Sequence, residues 1–342
     1  MSDIGIKELA RIAGVSTASV SRALSNPERV SKKMRDRVQA AAKRVGYQPN
    51  RLGASLRTSR SGNIVAIIPD ISDTFNSGVI QSLERAAAER GYSVLFGDTQ
   101  GIRERELVYG AMVRSRQADG IIVFSHRLPF TAEELQSENF KLPPLVNSCE
   151  LADSPHIDTS NLPWVSIDNV QAGRDAVTHL IELGHQNIAV ITGDIESPST
   201  VQRLEGYRLA LSAAGIAYRE ENVYQGAYTL EAGVRITKQV LLAKHRPSAI
   251  FCMSDEMAMG CVATLKEHGF GVPEDMSVVG FDDIRFAQYL SPPLTTIAQP
   301  VEAIGRTCAN ILIDLIEDIA EPESKHILPH KLVVRSSATT PR

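Results

Sequence analysis

In the first fifty residues apolar side chains recur every three or four positions; after Gly62 short apolar runs alternate with longer helical stretches. Ile6, Leu9, Ala10 and Ala13 share one helix face, and Gly14 follows as a terminator. Ser16 is placed to cap a second helix, with Val20, Ala23 and Leu24 on one side and Thr17, Ala18, Ser21 and Arg22 roughly opposite. A third helix runs from a Ser31 cap through Met34, Val38, Ala41 and Val45 to Gly46. Helices joined by a short turn containing glycine form a helix-turn-helix, here with Ala10 at the crossing, Gly14 in the turn and Val20 in the shared core.

Beyond Gly62, "NIVAIIPD" leads into "SGVIQSLERAAAERGY", "SVLFGD" into "RERELVYGAMVRSRQ", and "ADGIIVFS" follows. A second series begins with "VSIDN" and continues through "NIAVITGD" and "SAIFCMSDEMAMG", each followed by a helical stretch. Strands alternating with helices of ten or more residues predict parallel sheets covered on both faces. The two series, divided near "DTSNLPW", predict two α/β lobes behind an all-α N-terminal domain. "LTTIAQPVEAIGRTCANILIDLIEDI" reads as a return to the first lobe and "KLVVRSS" as a closing strand of the second. The expected boundaries are residues 1–49 for the helix-turn-helix and 50–61 for a hinge. The first lobe then takes residues 62–162 plus about 294–322, and the second 163–293 plus about 323–342.

Charge sharpens this division. The 342 residues carry a net −4, yet residues 1–60 hold 13 Lys or Arg against 4 Asp or Glu, leaving −13 for the rest. A basic head on an acidic body suggests that the head alone meets a polyanion. A helix entering the major groove needs small or hydrogen-bonding side chains outward, with an occasional arginine for guanine. Ser16, Thr17, Ala18, Ser21 and Arg22 suit that face, and Asn26 and Asn50 join them as candidates. Lys7, Arg29, Lys32, Lys33 and Arg35 are placed to reach phosphates. In "NRLGASLRTSR", Leu56 between Arg51 and Arg57 has the character of a minor-groove wedge, although Gly53 and the hydroxyl residues also suit a plain linker.

Other classes recede. No apolar run reaches the roughly 18 residues of a membrane span, and the opening segment lacks signal-peptide texture, so a cytoplasmic protein is expected. Cys149, Cys252, Cys261 and Cys308 lack zinc or disulfide spacing. His326 and His330 flank Pro329 in an extended stretch and do not suit a metal. No G-x-S-x-G, H-E-x-x-H, G-x-x-x-x-G-K-[ST] or G-x-G-x-x-G is present, so neither an enzyme nor a cofactor is expected. In the body, ligand residues are expected where strands end: Asp70, Asp73 and Phe75 after the first strand, Ser125, His126 and Arg127 after the third, and Asp282 after "SVVGF".

The stretches "IKELARIAGVSTASVSRAL", "VGYQPNRLGASLRTSRS", "RLEGYRLAL", "SDEMAMG", "VPEDMSVVGFDDI" and "PPLTTIAQP" resemble the LacI/GalR family of bacterial transcription regulators over essentially the whole chain. The resemblance implies a two-lobe core like that of periplasmic binding proteins and a homodimer whose paired heads read a near-palindromic operator in double-stranded DNA. It makes Thr17 and Ala18 the variable base-reading positions, Arg22 a shared groove contact and Leu56 the wedge. It makes Arg203 and Asp282 partners of vicinal hydroxyls, Phe75 and Tyr228 a ring pair for a nucleobase, and Glu150 a further ligand contact. Ser254 stands where several sugar-responsive members carry Asn.

"AIIPDISDTF", "SHRLPF" and "KLPPLV" are similar to the cytidine-responsive branch, which implies a nucleoside effector; a sugar or a purine is the alternative. A two-lobe solute-binding protein and an enzyme acting on nucleosides are the rivals of other classes. The basic head speaks against the first and the missing motifs against the second.

Overall fold

The computed structural model describes residues 5–25, 27–47, 60–319 and 323–342. Asn26, Asn50, Arg51 and Leu56, and with them the expected hinge wedge, lie outside the described residues. The chain divides into two units, residues 1–61 and 62–342.

The small unit is three helices: α1 (Ile6–Ala13), α2 (Thr17–Ser25) and α3 (Lys32–Val45). Gly14 closes α1 at φ 62°, a left-handed conformation that glycine adopts without a Cβ penalty, and its carbonyl accepts from Arg37 at 3.1 Å. Ser16 Oγ accepts from the Ser19 amide at 3.1 Å, and Ser31 Oγ from Met34 at 3.3 Å, so both expected serine caps form. Leu9, Val20 and Val38, one from each helix, are fully buried together with Ala10, Ala13, Ala23 and Ala41.

The large unit holds two six-stranded sheets. The first is ordered β11-β5-β4-β3-β1-β2 and the second β12-β10-β9-β8-β6-β7, so both begin from one topology, with the second strand of each series outside the first. The first contains β1 (Asn63–Ile68), β2 (Ser93–Asp98), β3 (Ile121–Val123), β4 (Leu145–Ser148), β5 (Trp164–Ile167) and β11 (Lys325–Leu328). The second contains β6 (Ile188–Thr192), β7 (Val223–Gln225), β8 (Ala249–Cys252), β9 (Ser277–Asp282), β10 (Thr295–Ala298) and β12 (Lys331–Val333). All pairings are parallel except β10 with β12. The central strands are apolar along their length, as sheets covered on both faces require: Ile64 to Ile68 and Ile188 to Ile191 are buried throughout.

Helices α4 (Thr74–Glu89), α5 (Arg103–Arg114), α6 (Ala132–Gln136) and α11 (Val301–Glu317) cover the first sheet; α7 (Asn169–Glu182), α8 (Pro198–Ala213), α9 (Leu230–Leu241) and α10 (Asp255–Glu267) cover the second. The lobe boundaries differ from expectation. Each lobe makes its fifth strand before the chain leaves it, so "VSIDN" belongs to the first lobe and "TTIA" to the second. The crossings therefore fall near Asp168, near Gln299 and between β11 and β12, rather than at residues 162, 294 and 322. α11 does return to the first lobe and β12 does close the second, as the sequence implied.

Candidate DNA-reading face and effector cleft

On α2 the side facing away from the small core carries Thr17, Ala18 and Arg22, all exposed, with Ser21 half-buried beside them. Ser16 spends its hydroxyl on the helix start, which makes it a cap first and a contact second. Lys7 and Arg29 are exposed, as are Lys32 and Lys33. The helix thus presents small polar groups and one arginine on an otherwise uncharged face, framed by cations. This chemistry brings a backbone close to base edges while phosphates are held from the side.

In the large unit a cleft of about 220 Å³ opens at the carboxyl ends of both sheets. From the first lobe come Pro69, Asp70, Asp73, Phe75 and Asn76 after β1, Phe124 after β3, and Cys149 and Glu150 after β4. From the second come Ser199 and Arg203 on α8, Tyr228 after β7, Ser254 and Glu256 at the start of α10, and Asp282 at the end of β9.

Arg203 is its electrostatic centre. Gly173 on α7 lets α8 approach so closely that a Cβ there would collide with the Arg203 backbone, which fixes where the side chain begins. Arg203 Nε donates to Asn169 Oδ1 at 2.8 Å and one terminal nitrogen donates to the Met253 carbonyl at 2.7 Å. The guanidinium lies 3.7 Å from the centre of the Phe281 ring. Its second terminal nitrogen has no hydrogen-bond partner among the described residues. Asp282, also buried, accepts from Gln299 Nε2 at 2.7 Å. Burial drives the Asp282 carboxyl well above the usual range, Arg203 opposes that, and Asp255 and Asp73 add to it. Burial likewise pushes Asp73 up to about 6, although its carboxylate caps α4 by accepting from Asn76 at 2.7 Å.

Two carboxylates tie the lobes together by capping helices across the cleft. Glu150 of the first lobe accepts from Ser197 Oγ at 2.7 Å, from the Ser199 amide at 3.2 Å and from Ser199 Oγ, all at the start of α8. Glu256 of the second lobe accepts from the Thr74 amide at 3.1 Å and hydroxyl at 2.9 Å, at the start of α4. Helix N-termini favour such anions because their first amides lack intrahelical partners. Tyr228 stands at φ 59°, its hydroxyl 2.5 Å from Thr200 Oγ1 and its ring seated over Gly193, where a Cβ would collide with it.

Of the eleven residues singled out for the effector by strand-end position or by the resemblance, the structure gathers Asp70, Asp73, Phe75, Glu150, Arg203, Tyr228, Ser254 and Asp282 around the cleft. It does not bring Ser125, His126 or Arg127 there, which corrects that expectation. Arg127 turns to the buried Glu106 at 3.1 Å and to the Gly101 carbonyl, and Ser125 Oγ donates to the Arg127 carbonyl at 3.1 Å. Ser254 is occupied as the cap of α10. Glu256 and Ser199 were not foreseen, although both follow a strand of the second lobe and the strand-end rule reaches that far. Among the described residues no cluster suits a metal ion, and no helix is long and apolar enough to cross a membrane.

A helix-turn-helix unit joined to a two-lobe ligand-binding core defines a ligand-responsive, DNA-binding transcriptional regulator. The chain belongs to the lacI family of bacterial regulatory proteins. That family's model matches residues 5–50, and the model of a periplasmic binding protein-like domain matches residues 177–338. The HTH-type transcriptional repressor CytR of Escherichia coli is 40% identical over 332 residues, covering 97% of this chain and 95% of the relative. The repressor PurR of Klebsiella pneumoniae is 34% identical over 97% of this chain and 96% of its own. The lac repressor dimer bound to operator and the anti-inducer ONPF superimposes with a TM-score of 0.85 at 27% identity, covering 99% of this chain and all of that one. The protein is accordingly a ligand-responsive DNA-binding repressor of this family.

Proposed function

We propose that the protein is a dimeric repressor of a near-palindromic operator and that its effector is a nucleoside, with cytidine the first candidate. The observation that carries this is the composition of the cleft: Arg203 and Asp282 both on its lining, with two aromatic rings, Phe75 and Tyr228. A guanidinium that donates and a carboxylate that accepts form charge-assisted hydrogen bonds with the adjacent hydroxyls of a ribose. The rings offer faces on which a planar base stacks. The likeness of "AIIPDISDTF" and "KLPPLV" to cytidine-responsive members points the same way.

Charge narrows the class further. Among the described residues, Asp70, Asp73, Glu150, Glu256 and Asp282 face the cleft against Arg203 as its one basic residue, which suits an uncharged ligand rich in donors and repels a phosphate. The volume of about 220 Å³ lies below the roughly 300 to 1,000 Å³ of pockets for drug-sized ligands, in keeping with a nucleoside or monosaccharide rather than a nucleotide or disaccharide. The ligand prefers one arrangement of the lobes, and that preference alters the affinity of the heads for DNA. In the head, Thr17, Ala18 and Arg22 read bases while Lys7, Arg29 and their neighbours hold phosphates. Calorimetric titration with cytidine, ribose, cytosine, cellobiose and cytidine monophosphate tests the reading. Cytidine binds, and its monophosphate binds at least about tenfold more weakly, a difference of about 1.4 kcal/mol. Heat from cellobiose but none from cytidine replaces the nucleoside with a sugar.

A further inference from the structure

Asp282 and its successor Asp283 have φ values of 117° and 53°, both on the left-handed side where a side chain is strained. Such positions persist only when their surroundings over-determine them, at roughly 1 to 3 kcal/mol each. Asp283 is ion-paired with Arg335 at 2.7 Å and Asp282 accepts from Gln299, and a further anchor lies behind the turn. Asp255, the first residue of α10, is completely buried and does not line the cleft; its carboxylate lies behind the turn. Oδ2 accepts from the Ile284 amide at 2.9 Å, immediately after the strained pair. Oδ1 accepts from Thr296 Oγ1 at 2.6 Å, on β10, whose register sets Thr296 against Gly280 and Ala298 against Asp282. A Cβ at position 280 would collide with that same oxygen, so Gly280 provides the gap through which the carboxylate reaches both anchors.

We propose that Asp255 is a positioning residue that clamps the turn at 282–283 and thereby presents the Asp282 carboxylate to the effector; this rests on the nucleoside reading of the cleft. A buried carboxylate is costly to keep unless its partners require it, and both partners here belong to the structure that aims Asp282. Burial pushes the Asp255 carboxyl up to about 7 against the hydrogen bonds from Thr296 and the Ile284 amide, and those two bonds are what the clamp consists of. An asparagine satisfies the same geometry, its carbonyl accepting from Ile284 and its amide donating to Thr296 Oγ1. A carboxylate serving only the amide-rich end of α10 would affect stability and nothing else.

The test uses the full chain, with crystal structures and cytidine titrations of Asp255→Ala, Asp255→Asn and Asp282→Ala. In Asp255→Ala the pair at 282–283 relaxes to negative φ and cytidine affinity falls at least about tenfold, while Asp255→Asn keeps the turn and stays within about threefold of the parent. Should Asp255→Ala fail to fold, Thr296→Val removes one anchor and is judged on the same two readings. A turn that keeps its positive φ values without the clamp, or an affinity left unchanged, overturns the proposal. Failure of the cleft reading is seen separately, as Asp282→Ala binding cytidine like the parent; the geometry of the turn tests the clamp without any ligand.

Discussion

Replacing Arg203 with methionine keeps the length of the side chain and removes its charge and its donors. Asn169 Oδ1 and the Met253 carbonyl then lose their donors in a buried place, at about 1 to 3 kcal/mol for each group left unsatisfied. Asp282 also loses the nearby cation that opposes its desolvation, which adds to the cost. Proton uptake by Asp282 limits that cost, and this gives the variant a signature. An aspartate whose folded pKa lies above its unfolded value binds more protons folded than unfolded, so its contribution to stability falls as pH rises through that window. Arg203→Met raises the folded value further, so its melting deficit is larger at about pH 8 than at about pH 5.5. Calorimetry at both pH values measures this, with a total near 3 kcal/mol appearing as roughly 6 to 12 °C for a unit of this size. A nucleoside also loses one charge-assisted bond of about 1.5 to 3 kcal/mol, weakening its dissociation constant by roughly 10- to 160-fold. An equal deficit at both pH values refutes the electrostatic argument, and an unchanged cytidine affinity refutes the assignment of Arg203 to the ligand.

The geometry sets three further outcomes. Gly193→Ala drives a methyl into the seat of the Tyr228 ring, so it costs about 1 to 3 kcal/mol in thermal unfolding and weakens cytidine binding; a variant that binds like the parent removes Tyr228 from the site. Hydroxyl donors favour ionised Asp73, which burial sets at about 6, so cytidine binds with proton release and its affinity rises between about pH 5 and 7, by at most tenfold per unit; a flat profile contradicts this. Two heads holding about three phosphates each give operator affinity a slope near −5 against log salt, and a slope near zero removes the phosphate-binding role of Lys7, Arg29, Lys32 and Lys33.

Much of this arrangement was legible in the sequence because it depends on local rules. Gly14 and Ser31 mark helix ends through their own backbone preferences, and Leu9, Val20 and Val38 declare a core by spacing alone. The strand-end rule reached Asp73, Phe75 and Asp282, and family resemblance supplied Arg203 and Tyr228. The features that escaped depend on partners far along the chain. Arg127 sits at a strand end as expected, yet Glu106, buried 21 residues earlier, draws it away. The pairing of Glu256 with Thr74 spans 182 residues and exists only once the two lobes face each other. The lobe boundaries slipped because β5 and β10 each look like the opening strand of the next lobe, whereas sheet closure makes each the fifth strand of the lobe before it. Nothing local singles out Asp255; only the fold brings Ile284 and Thr296 to it.

The link between cleft and DNA is tested most directly by one titration. A palindromic duplex selected by the full chain from a random library is titrated by fluorescence anisotropy, with and without saturating cytidine. Cytidine shifts the dissociation constant at least about fivefold, the lower end of typical coupling energies of about 1 to 3 kcal/mol, and Arg203→Met shows no shift. Superimposable curves with and without cytidine would contradict the account.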